Sequence, residues 1–246
     1  MKKAILSLFI VVCSLSSTQT KAEIWLDLGV KGGFAPGVFT NPYLLASEDQ
    51  ALKFSPGYLF GIKGAVNFGM KHSVTVGLLY TTTTQRLSSA SLGTSTYLNL
   101  ATLDLPILYR VNGETGGYGE IGPQFSFTQS ATQGIDGGAQ FDAKNKFKPV
   151  QTAVAFGFGQ YIGGGDAFGL NFGFRFAYSL ADIIAPSFDN KANDPVYQPT
   201  TPEDAAAYNY EKSGRFYAGI VLEFNFNLGY FAKGAACTKK TKFRMF

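Results

Sequence analysis

Between Ile24 and Phe226 the chain repeats one pattern eight times: apolar side chains at every second position, with polar or small residues between them. Successive side chains of a β-strand point to opposite faces, so this period of two is the signature of strands with unlike faces. The seventh run is the most regular, setting Leu170, Phe172, Phe174, Phe176 and Tyr178 against Asn171, Gly173, Arg175 and Ala177. The other runs start at Ile24, Tyr58, Val74, Tyr97, Ile121, Val154 and Phe216. At 246 residues, one large β domain accommodates all eight.

The connections narrow the architecture. Gly69 to His72, Asn112 to Thr115 and Gly163 to Asp166 have the Gly, Asn and Asp chemistry of tight turns. Between them lie long polar stretches at 35–55, 85–96, 129–149 and 181–213, and long and short alternate strictly. A soluble eight-stranded barrel of the lipocalin kind does not need that asymmetry. A bacterial outer-membrane barrel has it, with short periplasmic turns, long external loops, strands of ~10 residues and an even strand count. The expected fold is therefore all-β, an eight-stranded antiparallel up-and-down transmembrane β-barrel in the outer membrane, with both termini periplasmic. Composition agrees: charged residues are 15% against roughly 25% in soluble domains. A hydrophobic share of 46% excludes a disordered chain. No apolar run reaches the ~18 residues that a helical membrane span needs.

The ends read differently. Lys2 and Lys3, the apolar stretch Ala4 to Cys13 and the segment Thr20-Lys21-Ala22 form a secretory signal, with cleavage expected after Ala22. Val12 before Cys13 argues against a lipoprotein signal. The expected organisation is a signal peptide over 1–22, the barrel over 23–232 and a basic tail over 233–246. Losing Lys2, Lys3 and Lys21 from 21 basic residues leaves 18 against 17 acids. Cys237 is then the one remaining cysteine, which excludes an intramolecular disulfide.

In a membrane barrel the apolar face meets lipid and the polar face fills the lumen. The polar faces carry Asp27, Lys31, Lys63, Asp104, Arg110, Glu120, Arg175 and Glu223. Four acids and four bases in a narrow lumen pair with one another, whereas isolated buried charges would be prohibitive. Tyr58, Tyr80, Tyr97 and Tyr178 fall on the apolar face at the ends next to long loops, and Tyr109 at the opposite end. They are expected to form the aromatic girdle where such barrels cross the membrane interfaces.

The run Leu103-Asp104-Leu105-Pro106-Ile107-Leu108-Tyr109-Arg110 resembles the corresponding strand of the PorT-like outer-membrane β-barrel family. Gly122-Pro123, Gly157-Phe158-Gly159 and Arg175-Phe176-Ala177-Tyr178-Ser179-Leu180 follow in matching order. The seventh strand departs from the family pattern at Phe176 and Ser179, and a tail follows the last strand. Proline normally argues against a central strand; the flanking alternation and the family pattern keep Pro106 in one. The resemblance implies an eight-stranded barrel, and PorT itself belongs to a protein-secretion apparatus.

Chemistry-bearing motifs are scarce. His72, the single histidine, falls in a short turn, and neither it nor Cys237 has companion metal ligands. Asp136-Gly137-Gly138 and Asp189-Asn190 lack calcium-loop spacing. Gly163-Gly164-Gly165 precedes a strand, not a phosphate-binding helix. No catalytic role, cofactor, metal or nucleic-acid partner is expected. Eight strands leave room only for side chains, so the expected role is structural or partner-binding, with outer-membrane lipid as solvent and an envelope or secretion-complex protein as partner. The alternative is a minor permeability pathway, a narrow porin-like channel. Thr201-Pro202-Glu203-Asp204 starts a short helix in the longest loop, and Asn41-Pro42 is a weaker start in the first. Lys239, Lys240, Lys242 and Arg244 are expected to hang in the periplasm and contact an anionic partner.

Overall fold

The computed structural model describes residues 24–165, 168–188, 194–197, 200–233 and 241–244, from residue 230 onward by backbone alone. The expected signal segment 1–22, and with it Cys13, lies outside the described residues, as do Cys237, Lys239 and Lys240. Among the described residues eight long strands form one ring. They are β1 (Ile24–Phe34), β2 (Tyr58–Phe68), β3 (His72–Ser89), β4 (Ser95–Asn112), β5 (Gly117–Ile135), β6 (Val150–Gly164), β7 (Phe168–Ser179) and β8 (Gly214–Lys233). Each pairs antiparallel with the next, and β1 closes the ring on β8, from Ile24↔Phe231 to Phe34↔Ile220. Closure pairs the first strand with the last and so covers the two long edges that an open sheet would leave. No described helix is long and apolar enough to cross a membrane.

The outward faces are apolar and exposed around the ring, for example Val30, Ile62, Val76, Ile121, Phe158, Phe174 and Leu222. A continuous apolar belt of this kind has no counterpart on soluble monomers; it needs hydrocarbon as solvent. The inward faces are buried and mostly polar, with an apolar patch of Leu59, Leu108, Ala155, Ala177, Tyr217 and Val221 among them. Pro106 stays in β4 with its ring against Gly77 of β3. The β3–β4 pairing skips there, running from Val76↔Ile107 to Leu79↔Asp104. Gly122 of β5 sits directly over the Ile107 carbonyl on the other side, where a Cβ would come within 2.1 Å.

Strand length departs from the alternation reading. β3, β4 and β5 run 18, 18 and 19 residues, against the ~9–11 that cross a bilayer. They continue past the belt at the loop end. Most of the stretch 85–96, expected as a loop, is strand, and β3 and β4 are joined there by a turn at 90–94 with Gly93 at φ 60°. The start of 129–149 likewise continues β5. The cause is an exchange of faces. Above the belt the inward side becomes apolar, with Leu98, Leu100 and Ala131 buried, so these extensions have something to pack against.

The first long loop also adds strand. Gly37–Thr40 pairs with β8 and Gln50–Lys53 with β3. Between them lies α1 (Pro42–Ala46), capped by the Asn41 side chain accepting from the Tyr43 amide at 3.0 Å, with proline in the first turn. In the last loop α2 spans Pro202–Ala207, where the Thr-Pro start put it.

The tail does not simply hang free. Thr241–Arg244 pairs antiparallel with the last four residues of β8, from Lys233↔Thr241 to Tyr230↔Arg244. β7 begins at Phe168 opposite Phe226, so β8 has an open edge beyond that point. A short strand takes it up.

Candidate functional site

Two features close the barrel interior. The first is an ion network across its waist. Glu223 of β8 receives Lys31 Nζ at 2.5 Å, Lys63 Nζ at 2.7 Å and Arg110 Nη2 at 2.8 Å. Glu120 of β5 receives Arg110 Nη2 at 2.5 Å, Lys31 Nζ at 3.2 Å and Arg175 Nη1 at 3.4 Å. All six side chains are buried, and six strands contribute one each. Arg110 also lies 4.0 Å from the centroid of the Tyr118 ring, a cation–π contact. Tyr118 fits because Gly159 and Gly173 opposite it carry no side chain; a Cβ on either would collide with its ring or hydroxyl.

Asp104 stands apart from this network, toward the loop end. Its partners are Thr102 Oγ1 at 2.8 Å, Gln124 Nε2 at 2.9 Å and Arg215 Nη2 at 3.5 Å. Arg215 is buried and also donates to Thr102 and Ser126. Sequence reading missed it because the eighth apolar run is recognisable only from Phe216. Extending the alternation one residue back would have found it. Asp27 takes part in no ion pair among the described residues; its Oδ2 accepts from Asn67 Nδ2 at 2.7 Å.

The second closure is a cap at the loop end. Phe39, Leu44, Phe147, Ile183, Ile184 and Tyr197 form its buried apolar core, drawn from three loops and resting on Leu98 and Leu100. Asp194 is its polar hub, 1% exposed. Its Oδ1 accepts from the amides of Val196 at 2.8 Å and Tyr197 at 3.3 Å. Its Oδ2 accepts from the Tyr208 hydroxyl at 2.5 Å and Asn41 Nδ2 at 3.4 Å. Burial pushes the Asp194 carboxyl above the ordinary range against these hydrogen bonds, and burial beside that carboxyl also raises the Tyr208 hydroxyl. No spacing rule finds this hub, because its Asn41 partner lies in the first loop, 153 residues away.

Asp49 ties the same loops with the opposite sign. The Ser89 hydroxyl (2.7 Å), the Thr200 hydroxyl (2.5 Å) and the Ser91 amide (2.7 Å) all donate to its carboxylate. They lower its pKa from 3.8 to about 2. A depressed carboxylate contributes its stabilisation above the unfolded value and loses it as pH falls through the folded one. Protection of the Ser91 amide against hydrogen exchange is therefore expected to drop as pH falls from 3.8 toward about 2. It should be insensitive to pH in that window in Asp49→Asn. Constant protection of the native amide would refute the assignment.

The tyrosines divide. Tyr58, Tyr80 and Tyr178 are on the outer face near the loop end of the belt, with Phe60 between Tyr58 (6.4 Å) and Tyr80 (5.3 Å). Tyr109 lies at the turn end, its hydroxyl 2.7 Å from His72 Nδ1. Tyr97 does not share the level of the others. It pairs with Arg86 and Gly134 on the strand extensions. Leu103, opposite Tyr80, is six residues further down β4, which separates the two levels by about 20 Å along the strand. His72, read from sequence as a turn residue, opens β3 and stacks on Tyr109 at 5.9 Å. Of the tail residues, Lys242 and Arg244 lie in the short strand beside β8.

Residues 17–185 match the family described as "Outer membrane protein beta-barrel domain". No curated protein sequence matches the chain. Among solved structures it is similar to OprG from Pseudomonas aeruginosa at 11% identity, with 84% of this chain and 97% of that one covered and a TM-score of 0.42. It is similar to Neisserial surface protein A at 12% identity, 80% and 95% coverage and a TM-score of 0.37. Ail of Yersinia pestis aligns at 9% identity, 82% and 99% coverage and a TM-score of 0.37.

Proposed function

The chain belongs to the outer membrane protein β-barrel domain family, and from that premise we propose that it is a closed barrel with a structural or partner-binding role. The observation that carries this reading is the double closure of the lumen. Six paired charges fill the waist, and the packed cap covers the loop end. Opening a path would require breaking buried ion pairs, which costs several kcal/mol per unpaired charge. Purified barrel in a planar bilayer is expected to stay electrically silent. Steady single-channel steps would overturn the reading in favour of the narrow channel.

On this reading the first 22 residues are removed on export, the short turns and both termini face the periplasm, and the cap faces outward. The strand Leu103–Arg110, with Gly122-Pro123 beside it, supports kinship with the PorT-like barrels and a place in a protein-secretion or envelope assembly. No catalytic role is assigned: the single histidine has its Nδ1 hydrogen-bonded to Tyr109 at the turn end.

The basic tail is the expected partner contact, through Lys239, Lys240, Lys242 and Arg244. Attraction of that kind is salt-sensitive. Deleting residues 233–246 is expected to leave folding and insertion intact, because β8 still closes on β1 through Tyr230 and Phe231. It should weaken co-purification of an anionic envelope partner at low salt. A barrel that no longer folds would show instead that the tail belongs to the closing strand.

A further inference from the structure

The ring is not closed in the same way at every height. β1 ends at Phe34 opposite Tyr58, where β2 begins, and just above them the Ala35 amide donates to the Gly57 carbonyl at 2.8 Å. Beyond that point the two short strands of the first loop have one neighbour each. Gly37–Thr40 follows β8 and Gln50–Lys53 follows β3, and among the described residues no ladder joins the two. A side chain seals the seam from within: buried Gln85 of β3 accepts from the Phe39 amide at 2.6 Å through its Oε1. Gly37 lies against β3 at the same place, where a Cβ would come within 2.9 Å of the Thr83 methyl group.

On the outside the seam leaves a groove of about 310 Å³, lined by Val38, Leu52, Phe54, Phe216 and Ala218, among others. Lys53 is the one charged residue in the lining, and no acid faces it there. Phe54 is 77% exposed, and its ring lies 6.2 Å from that of Phe34. Phe34 and its partner Ile220 are exposed members of the apolar belt, so the groove continues the belt upward. Phe216 stands opposite Tyr178 of the aromatic girdle, which puts the groove at the membrane interface. Lys53 Nζ donates to Ser95 Oγ at 3.0 Å and forms no ion pair among the described residues. An exposed apolar groove beside a single base fits an amphiphile with an anionic head.

We propose that this groove docks one anionic lipid of the leaflet at the loop end. An acyl chain lies along Val38, Phe54, Phe216 and Ala218, and the lipid phosphate meets Lys53. The bilayer presents both parts at this height. The site is outside the ring and sealed from the lumen by Gln85, so its occupancy does not depend on whether the lumen conducts.

The full barrel in phosphatidylcholine nanodiscs, doped with phosphatidylglycerol carrying a diazirine in one acyl chain, tests the location. Irradiation is expected to label segments 36–38, 52–54 and 216–218 above the rest of the belt. Native mass spectrometry then compares the two lipids with identical chains, since choline offsets the phosphate charge and glycerol does not. Phosphatidylglycerol is expected to be held about fivefold more tightly, the worth of one basic residue at a lipid surface. In Lys53→Gln the two lipids should bind alike. Ala218→Leu, which fills the groove from the outer face, should weaken both and lower labelling at the seam, with heat-modifiable gel migration reporting that the barrel is folded. Labelling spread evenly around the belt, equal affinity for the two lipids, or a phosphatidylglycerol preference that survives Lys53→Gln would each overturn the proposal.

Discussion

Replacing Glu223 by alanine is expected to destabilise the barrel by about 3–5 kcal/mol, the cost of leaving buried charges without their partner. Glu223 is fully buried and receives Lys31, Lys63 and Arg110. Without it the waist would hold four bases against Glu120 alone. Glu223→Gln keeps the shape and an acceptor oxygen but removes the charge, so most of the loss should persist. Urea titration of refolded barrel, followed by heat-modifiable gel migration, reads the difference. A loss below about 1 kcal/mol, the scale of an exposed pair, would mean that water reaches the network and screens it.

The second large effect is on the outer face. Phe174 lies midway along β7, exposed, opposite Phe158 and Ile220. Phe174→Arg is expected to cost roughly 2–4 kcal/mol, the penalty for a guanidinium at the bilayer midplane. Asn171→Ser, on the lumen side of the same strand, should cost little. The same gel assay compares them. Equal tolerance at the two sites would mean that inside and outside had been exchanged, reviving a soluble barrel with an apolar interior.

These two predictions rest on different sources of information. The outward position of Phe174 was legible in the sequence, because in a strand a residue's face follows from its parity alone and the alternation around Phe174 is unbroken. The same parity put the eight charged residues on the inner face, and strict alternation of short and long connections yielded eight antiparallel strands. Parity says nothing about height along the barrel. Tyr97 shares a face with Tyr80 yet lies about 20 Å above it, because β3, β4 and β5 continue beyond the belt. Their extensions read as loops in the sequence, since a loop is recognised by polarity and these residues exchange their polar and apolar faces as they leave the membrane.

Which charges meet was likewise beyond the reach of a one-dimensional pattern. Lys31 and Glu223, which are in contact, are separated by nearly the whole barrel in sequence and are brought together by closure of β1 on β8. Asp27 and Lys31 share a face of one strand, yet Lys31 is paired in the waist and Asp27 accepts from Asn67 instead. Asp194 and Asp49 join loops far apart in the chain, and their pKa values move in opposite directions because one is buried and the other is held by donors. Alternation, turn chemistry and charge type are local quantities, so sequence alone determined the strands, their number and their two faces. Register, ring closure and loop packing are relations between distant segments, and only the tertiary structure decided which side chains end up as neighbours.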